Sequence, residues 1–216
     1  MTNMEGRNNM KKPKIREIKE ALTALIKGPY TVPFPKVPHK PYPGFRGAPK
    51  FNPDECVGCG ACANVCPTNT IEVEDVVDEE KGIGKRIITL YYQNCEFCGF
   101  CQECCITGKG VELSQEFNLA TFDRKSIFTR VEKELALCEI CGKPVTTWDH
   151  LRWLEDKLGY LAYTNPQIIL ATHYDIEEIR KKPPRKEIKG RFDQMRILCP
   201  QHRREVYRLE ERGKKK

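Results

Sequence analysis

Three features are scarce in this chain of 216 residues. Hydrophobic residues make up only 39% of it, which is little for stabilising one or two domains by burial alone. It has no run of about 18 apolar residues, so we expect no membrane-spanning helix. It shows no signal peptide, which favours a reducing compartment. Something other than a hydrophobic core must therefore help to hold the fold.

Twelve cysteines are the candidates for this additional stabilisation, and their regular spacing predicts metal ligation rather than disulfides. Charge is distributed unevenly around them. Residues 1–50 carry a net charge of +8, residues 51–113 a net charge of −7 and residues 114–216 a net charge of +6. Basic flanks of this kind could contact nucleic acid, anionic lipid or an acidic protein, and net charge alone does not choose among them.

The N-terminal segment is predicted to form a helix followed by an extended strap. Apolar residues recur at helical spacing at Ile15, Ile18, Leu22 and Leu25, and Gly28-Pro29 should end the helix. Eight prolines between Pro29 and Pro53 alternate with aromatic residues, which predicts an extended backbone lying across a protein surface. The helix could dock on a partner subunit, on this chain or on a membrane surface, and the strap could instead be a solvated linker.

An internal repeat follows the strap. Four cysteines recur at a fixed offset of 39 residues: Cys56, Cys59, Cys62 and Cys66 are matched by Cys95, Cys98, Cys101 and Cys105. Between the repeats, residues 71–74 and 87–92 have the composition of two strands joined by a charged turn with two glycines. The repeats and this hairpin predict one small α+β domain.

The spacing C-x2-C-x2-C-x3-C within each repeat is typical of two-cluster ferredoxins. Three thiolates on a tight loop bind one 4Fe-4S cluster, and the fourth ligates the other cluster. Cluster one is therefore predicted to take Cys56, Cys59, Cys62 and Cys105, and cluster two Cys95, Cys98, Cys101 and Cys66. Gly58, Gly60 and Gly99 permit the positive φ angles that such loops need.

Two alternatives bear on this assignment. A pair of zinc knuckles would also use C-x2-C pairs, but zinc does not need the further cysteines of each repeat. Cys104 could replace Cys105 as the fourth ligand, and the repeat offset favours Cys105. The proline that usually follows the fourth cysteine is present as Pro67 but is replaced by Ile106 in the second repeat.

A second metal site is predicted near the C-terminus. Cys138 and Cys141 form a C-x2-C pair, and Cys199 and His202 form a C-x2-H pair. Together they suit a tetrahedral zinc ion with no open position, so its role should be structural. The alternative is a set of unliganded buried cysteines.

Around these pairs the sequence predicts mainly helical structure. One helix should span about 147–160, with Leu151, Leu154 and Leu158 on one side, and a polar helix should span 203–212 before a lysine tail. His150 and His173 are interpreted as surface or packing residues rather than ligands. The basic run from 180 to 191 is either a solvated loop or a docking site for an acidic partner.

These motifs resemble the ferredoxin-type subunit of respiratory complex I and of the related group 4 NiFe hydrogenases and formate hydrogenlyases. The resemblance rests on residues 45–47 (Phe-Arg-Gly), on the two cysteine repeats and on residues 113–117 (Leu-Ser-Gln-Glu-Phe). The formate hydrogenlyase form also has a cysteine-rich tail. Archaeal membrane-bound hydrogenases and sulfane sulfur reductases are similar complexes.

The resemblance implies a non-catalytic subunit that relays electrons through two 4Fe-4S clusters, peripheral on the cytoplasmic side of a membrane. Its implied partners are other subunits of the complex, including a cluster-bearing small subunit, and soluble ferredoxin as an electron donor; membrane contact is made only through partners. The expected fold is a bacterial-type two-cluster ferredoxin core at 51–120, with the helix and strap at 1–50 and a mainly helical zinc-binding appendage at 121–216.

The sequence itself supports a relay, because no flavin fingerprint, catalytic triad or open metal position is evident. A free-standing soluble ferredoxin is the nearer alternative, although a strap, a docking helix and a zinc appendage have no use in such a carrier. A nucleic-acid-binding iron-sulfur and zinc protein is the more distant one. It is disfavoured because the acidic centre would repel phosphate and no recognition helix is evident.

Overall fold

The structure is a computed structural model that describes residues 14–28, 30–78, 80–173 and 186–213. The chain divides into two compact units, Met1–Pro41 and Tyr42–Lys216. Residues 180–185 of the predicted basic run at 180–191 lie outside the described residues, as does the C-terminal lysine tail. None of the described helices has the length and apolar character needed to cross a membrane.

In the first unit, helix α1 spans Ile15–Lys27. It begins where the Lys14 amide donates to the Glu17 carboxylate at 3.0 Å, and it ends at Gly28, whose φ of 73° turns the backbone out of the helix. Residues 30–41 contain neither helix nor strand; a turn closes where the Val37 amide donates to the Pro33 carbonyl. The apolar positions of α1 are exposed.

The second unit opens with strand β1, Pro49–Phe51, so the end of the predicted strap is a strand. It pairs antiparallel with β4, Val111–Leu113, in a two-stranded sheet. A proline is tolerated here because it occupies the first position of an edge strand. Between these strands lie the one-turn helices α2, Ala61–Asn64, and α3, Phe100–Glu103, each following one cysteine loop. Gly60 and Gly99 start these helices with left-handed φ angles of 79° and 89°.

The predicted hairpin is present and longer than expected. Strands β2, Ile71–Asp78, and β3, Ile83–Tyr91, pair antiparallel with Ile71 opposite Leu90. The sheet then continues with β5, Phe128–Leu137, and β6, Pro144–Thr147, in the order β2-β3-β5-β6. Ile88 and Val131 face each other across β3 and β5 and are both buried in the core that also holds Cys56, Cys62 and Cys101.

These last two strands differ from the expectation of a mainly helical segment after residue 120. Strand β5 carries charged residues at 130 and 132–134, so its sequence has no apolar run that would indicate a buried strand. Its pairing with β3, with Val131 and Leu135 buried, places it in the same sheet as the hairpin between the cysteine repeats.

Among the described residues after β6, three α-helices follow. Helix α4 spans Trp148–Leu158, α5 spans Pro166–Thr172 and α6 spans Pro200–Gly213. Thr147 caps α4 by accepting from the His150 amide at 3.3 Å. Of the three leucines expected on its inner side, Leu151 is buried and Leu158 is exposed. Two small cores support these helices, one around Trp148 and Leu151 and the other around Cys138, Leu198 and Val206.

Candidate metal centres

The two cysteine repeats meet in the core of the second unit. The Cys56 thiol interacts electrostatically with Cys59 and Cys105, and the Cys95 thiol with Cys66 and Cys98. Each of these neighbours belongs to the ligand set predicted for that cluster. Cys62 interacts with Cys56 and Cys59 and also with Cys101, where the two sets approach each other.

The backbone makes room for this exchange of ligands between the repeats. A Cβ placed on Gly110 would lie 3.1 Å from the Cys105 sulfur and 3.1 Å from the Cys56 Cα, so no side chain separates the fourth cysteine of the second repeat from the first loop. The Cys56 amide is tied to the Asn52 carbonyl at 2.9 Å, which fixes the start of that loop. The structure thus brings Cys105 to the loop with which the sequence pairs it.

The inner thiols of both loops resist ionisation. Burial, reinforced by the neighbouring thiolates, raises the pKa of Cys62 to about 12 and the pKa of Cys101 to about 11. Buried thiolates repel one another and are stable only beside a strong positive charge, which iron ions supply. This donor set fits an iron-sulfur cluster.

The fourth cysteine of each repeat has a different environment. Burial raises the pKa of Cys66, but hydroxyl hydrogen bonds with Thr70 and Thr68, at 3.5 and 3.6 Å, lower it to about 7. Burial likewise opposes ionisation of Cys105, whose pKa is lowered by Thr107 at 3.3 Å. Thr68 and Thr107 were missed from the sequence, although they too are 39 residues apart and extend the repeat.

Cys104 lies apart from both sets. It is exposed, it follows α3, and its amide donates to the Phe100 carbonyl at 2.9 Å. None of the cysteines whose interactions are described above has it as an electrostatic neighbour.

The two short motifs on either side of the repeats lie against each other. The Gly47 amide donates to the Ser114 carbonyl at 2.9 Å, and the rings of Phe45 and Phe117 meet edge to face at 6.2 Å. Arg46 donates to the Cys98 carbonyl at 3.1 Å. The residues that carry the family resemblance therefore hold the second cysteine loop from outside.

The four residues predicted to bind zinc converge on one point. The donor atoms of Cys138, Cys141, Cys199 and His202 all lie within 4.8 Å of one another. The His202 Nδ1 is 3.5 Å from the Cys138 sulfur and 3.3 Å from the Cys199 sulfur. In the part of the chain that the structure describes, no other group of three or more candidate ligands converges so closely.

Two structural elements position these donors. Cys138 follows β5 and opens a tight turn. Its amide donates to the Lys143 carbonyl, and its carbonyl accepts from the Gly142 amide at 2.8 Å, where Gly142 has a φ of 69°. Cys199 and His202 lie at the start of α6. Burial disfavours the Cys138 thiolate, but the backbone amides of Cys141 and Cys199 lower its pKa. The turn is thus prepared for a thiolate.

A buried ionic network joins the two halves of this site and was missed from the sequence. Arg196 donates to the Glu139 carboxylate at 2.8 Å and to the Asp193 carboxylate at 3.1 Å. Glu139 lies between Cys138 and Cys141, and its other oxygen accepts from the Ile197 amide at 2.9 Å. His150, by contrast, contacts Thr146, and His173 is exposed; neither joins the ligand group.

Comparison with known proteins matches a 4Fe-4S binding domain (Fer4) at residues 49–72. Formate hydrogenlyase subunit 6 of Escherichia coli (strain K12) is 34% identical over 117 residues, which cover 54% of this chain and 62% of that protein. NADH-quinone oxidoreductase subunit I of Pelobacter propionicus is 32% identical over 78 residues, which cover 34% of this chain and 41% of that protein.

A solved structure of the membrane-bound sulfane sulfur reductase, an archaeal respiratory membrane complex, contains a chain 27% identical to this one. The match covers 57% of this chain and 63% of that chain, with a TM-score of 0.35. This chain thus spans less than two thirds of the length of each of these relatives. Within that span, the sequence relatives confirm the resemblance to subunits of formate hydrogenlyase and of NADH-quinone oxidoreductase.

Proposed function

We propose that this protein is an electron-relay subunit that holds two 4Fe-4S clusters within a membrane-associated oxidoreductase complex of the hydrogenase or complex I type. The observation that carries the proposal is the interleaving of the two repeats, in which Cys105 meets the first loop and Cys66 meets the second. Such interleaving places two clusters in one small core, where electrons can pass between them.

The ligands of cluster one are Cys56, Cys59, Cys62 and Cys105, and those of cluster two are Cys95, Cys98, Cys101 and Cys66. Each cluster, when bound, accepts and returns one electron. The protein's own part is to bury the inner thiols, to place Thr68 and Thr107 beside the fourth thiols and to exclude water from the shared core. No group in this proposal acts as an acid, base or nucleophile, so catalysis belongs to another subunit.

Cys138, Cys141, Cys199 and His202 hold one zinc ion in a structural role. Three sulfurs and one imidazole nitrogen complete a tetrahedral shell and leave no position for substrate. The convergence of the four donor atoms and the pKa of the Cys138 thiol, lowered by backbone amides, support this assignment.

The partners are other subunits of the complex, among them a cluster-bearing small subunit, with soluble ferredoxin as a possible donor. The names of the relatives support this placement, because formate hydrogenlyase and NADH-quinone oxidoreductase are multi-subunit by those names. We place the chain peripherally, on the cytoplasmic side of the membrane, with membrane contact only through partners. A free-standing ferredoxin finds no better support among these relatives, and nothing favours a nucleic-acid partner.

Metal analysis of anaerobically purified protein tests the cofactor content. We expect about eight iron, eight sulfide and one zinc per chain. About four iron per chain would refute the second cluster, and zinc in place of iron would refute both clusters. A Cys199→Ser variant should lose zinc and keep its iron, which separates the two kinds of site.

A paired substitution in α1 tests the partner proposal. Ile18 and Leu22 lie one turn apart on the apolar side, so Ile18→Ser with Leu22→Ser should release the chain from its complex without loss of iron. Arg16→Ser with Glu20→Ser, one turn apart on the polar side of the same helix, is the matched control. Equal recovery of the cluster-bearing small subunit with both variants would show that α1 does not hold the chain in the complex.

A further inference from the structure

The two cysteine loops repeat in sequence, but different residues cover them. Loop one (residues 56–62) has Gly58 where loop two (residues 95–101) has Phe97. A Cβ on Gly58 would lie 2.9 Å from Thr147 Cγ2 and 3.2 Å from Lys133 Cβ, so strand β5 and the end of β6 pack directly on loop one. Thr147 is fully buried, and its hydroxyl donates to the Val57 carbonyl.

Two cations reach loop one from the sheet. Arg86 on β3 donates to the Gly58 carbonyl at 3.2 Å, and Lys133 on β5 donates to the Pro53 carbonyl at 2.6 Å, three residues before Cys56. Their side chains are only 16% and 13% exposed. Charges shielded from water in this way act on their surroundings more strongly than surface charges do.

Placing these two cations together is unfavourable unless negatively charged groups lie beside them. Arg86 and Lys133 are directly opposite each other in the β3–β5 register, and like charges in that position repel. Asp75 binds Arg86 through both oxygens, at 2.7 and 2.8 Å. Asp149, however, is shared between Lys133 at 2.8 Å and Arg152 at 3.3 Å. The charge on Lys133 is therefore only partly compensated by carboxylates.

Loop two has different surroundings. Its hydrogen bond from a cation comes from Arg46, which is exposed and so screened by water. Both loops have an acidic residue beside their first cysteine, Glu55 at Cys56 and Glu96 at Cys95. Glu96 interacts electrostatically with the Cys95 thiol, whereas the charged side chain that interacts with the Cys56 thiol is Lys133. The repeated motif is thus set in two unlike electrostatic environments.

We propose that Lys133, together with Arg86, raises the reduction potential of cluster one above that of cluster two. The inference rests on the proposed function, since it needs both clusters and their ligand sets. Reduction adds one electron to a cluster, and a nearby positive charge in a poorly solvated setting stabilises the added negative charge. The first electron that enters the chain then resides on cluster one.

The test is an anaerobic redox titration of the intact, cluster-loaded chain, followed by electron paramagnetic resonance. The wild type should show two one-electron steps. Lys133→Met should move only the higher step, raising the ratio of oxidised to reduced cluster at a fixed potential by roughly threefold to tenfold. Lys133→Arg should stay near the wild type. Lys85→Met is the matched control, because that lysine lies on β3 but is 67% exposed.

Asp149→Asn gives a second, independent measurement, because it leaves Lys133 in place and removes the carboxylate that offsets it. It should move the higher step in the opposite direction, and it decides the matter if Lys133→Met loses iron. If neither variant moves the higher step, or if both steps move together, the inference is wrong while the proposed function stands. A single step with about four iron per chain would instead refute the two-cluster proposal itself.

Discussion

Substitution of Arg196 by methionine should loosen the predicted zinc site without touching a ligand. Arg196 is 7% exposed and joins Glu139, inside the first ligand pair, to Asp193, which is fully buried. Asp193 also accepts from the amides of Lys189 and Gly190 at 2.7 and 3.0 Å, and together with Arg196 these bonds lower its pKa despite its burial. Without the guanidinium, a buried carboxylate remains that has amide partners but no cation.

The size of the effect follows from burial. Removing one partner of a buried ion pair costs about 3–5 kcal/mol. The lower value applies here, because Asp193 keeps two amide donors and Glu139 is partly exposed. About 3 kcal/mol corresponds to roughly a hundredfold more frequent local opening. Zinc release to a chelator, followed by absorbance, should therefore accelerate about a hundredfold in Arg196→Met.

Two comparisons make this result decisive. Arg204→Met removes an exposed arginine from α6 and should release zinc at the wild-type rate. Asp193→Asn added to Arg196→Met removes the uncompensated charge and should recover part of the loss. If Arg196→Met releases zinc within about twofold of the wild type, the network does not hold the two ligand pairs together.

Three further predictions follow from the same geometry. Cys105→Ser should abolish one of two paramagnetic signals, whereas Cys104→Ser should keep both; the reverse pattern would exchange the ligand assignment. Gly47→Ala should destabilise the protein by about 3 kcal/mol, because its Cβ would lie 2.5 Å from the Ser114 carbonyl oxygen. A melting temperature within about 2 °C of the wild type would contradict that clash. Removing zinc with a chelator should shift the higher redox step more than the lower one and should be reversed by added zinc; equal shifts would argue against coupling through β5 and β6.

The repeat made the cysteine loops predictable. A fixed offset at four positions ties Cys56 to Cys95 and Cys66 to Cys105, and the spacing within each repeat is dictated by the shape of the cluster it encloses. The same reasoning indicated the four proposed zinc ligands, because C-x2-C and C-x2-H pairs impose their own turns. Local spacing is sufficient where a metal defines the geometry, and these donors do converge in the structure.

The residues around the loops were not predictable in this way. Strand β5 is rich in charge, and only its pairing with β3 reveals that Lys133 lies on the same face as the buried Val131 and reaches loop one. Arg196 and Glu139 are 57 residues apart in sequence and meet through tertiary contacts alone. Charges of this kind look like a solvated surface until the partner that buries them is known.

The β5–β6 hairpin gives a physical reason for the two metal regions to occur in one compact unit. At its closed end, residues 138–143 form the turn that carries two of the proposed zinc ligands. At its open end, Lys133 and Thr147 cover loop one of the cysteine repeats. Strand β6 is an edge strand of the four-stranded sheet and pairs with β5 over three residue pairs, so fixing the turn before it with a metal also helps to fix β6 on β5. A structural zinc ion here would therefore act on electron transfer indirectly, by holding a partly compensated cation and a buried hydroxyl against one cluster loop and not the other.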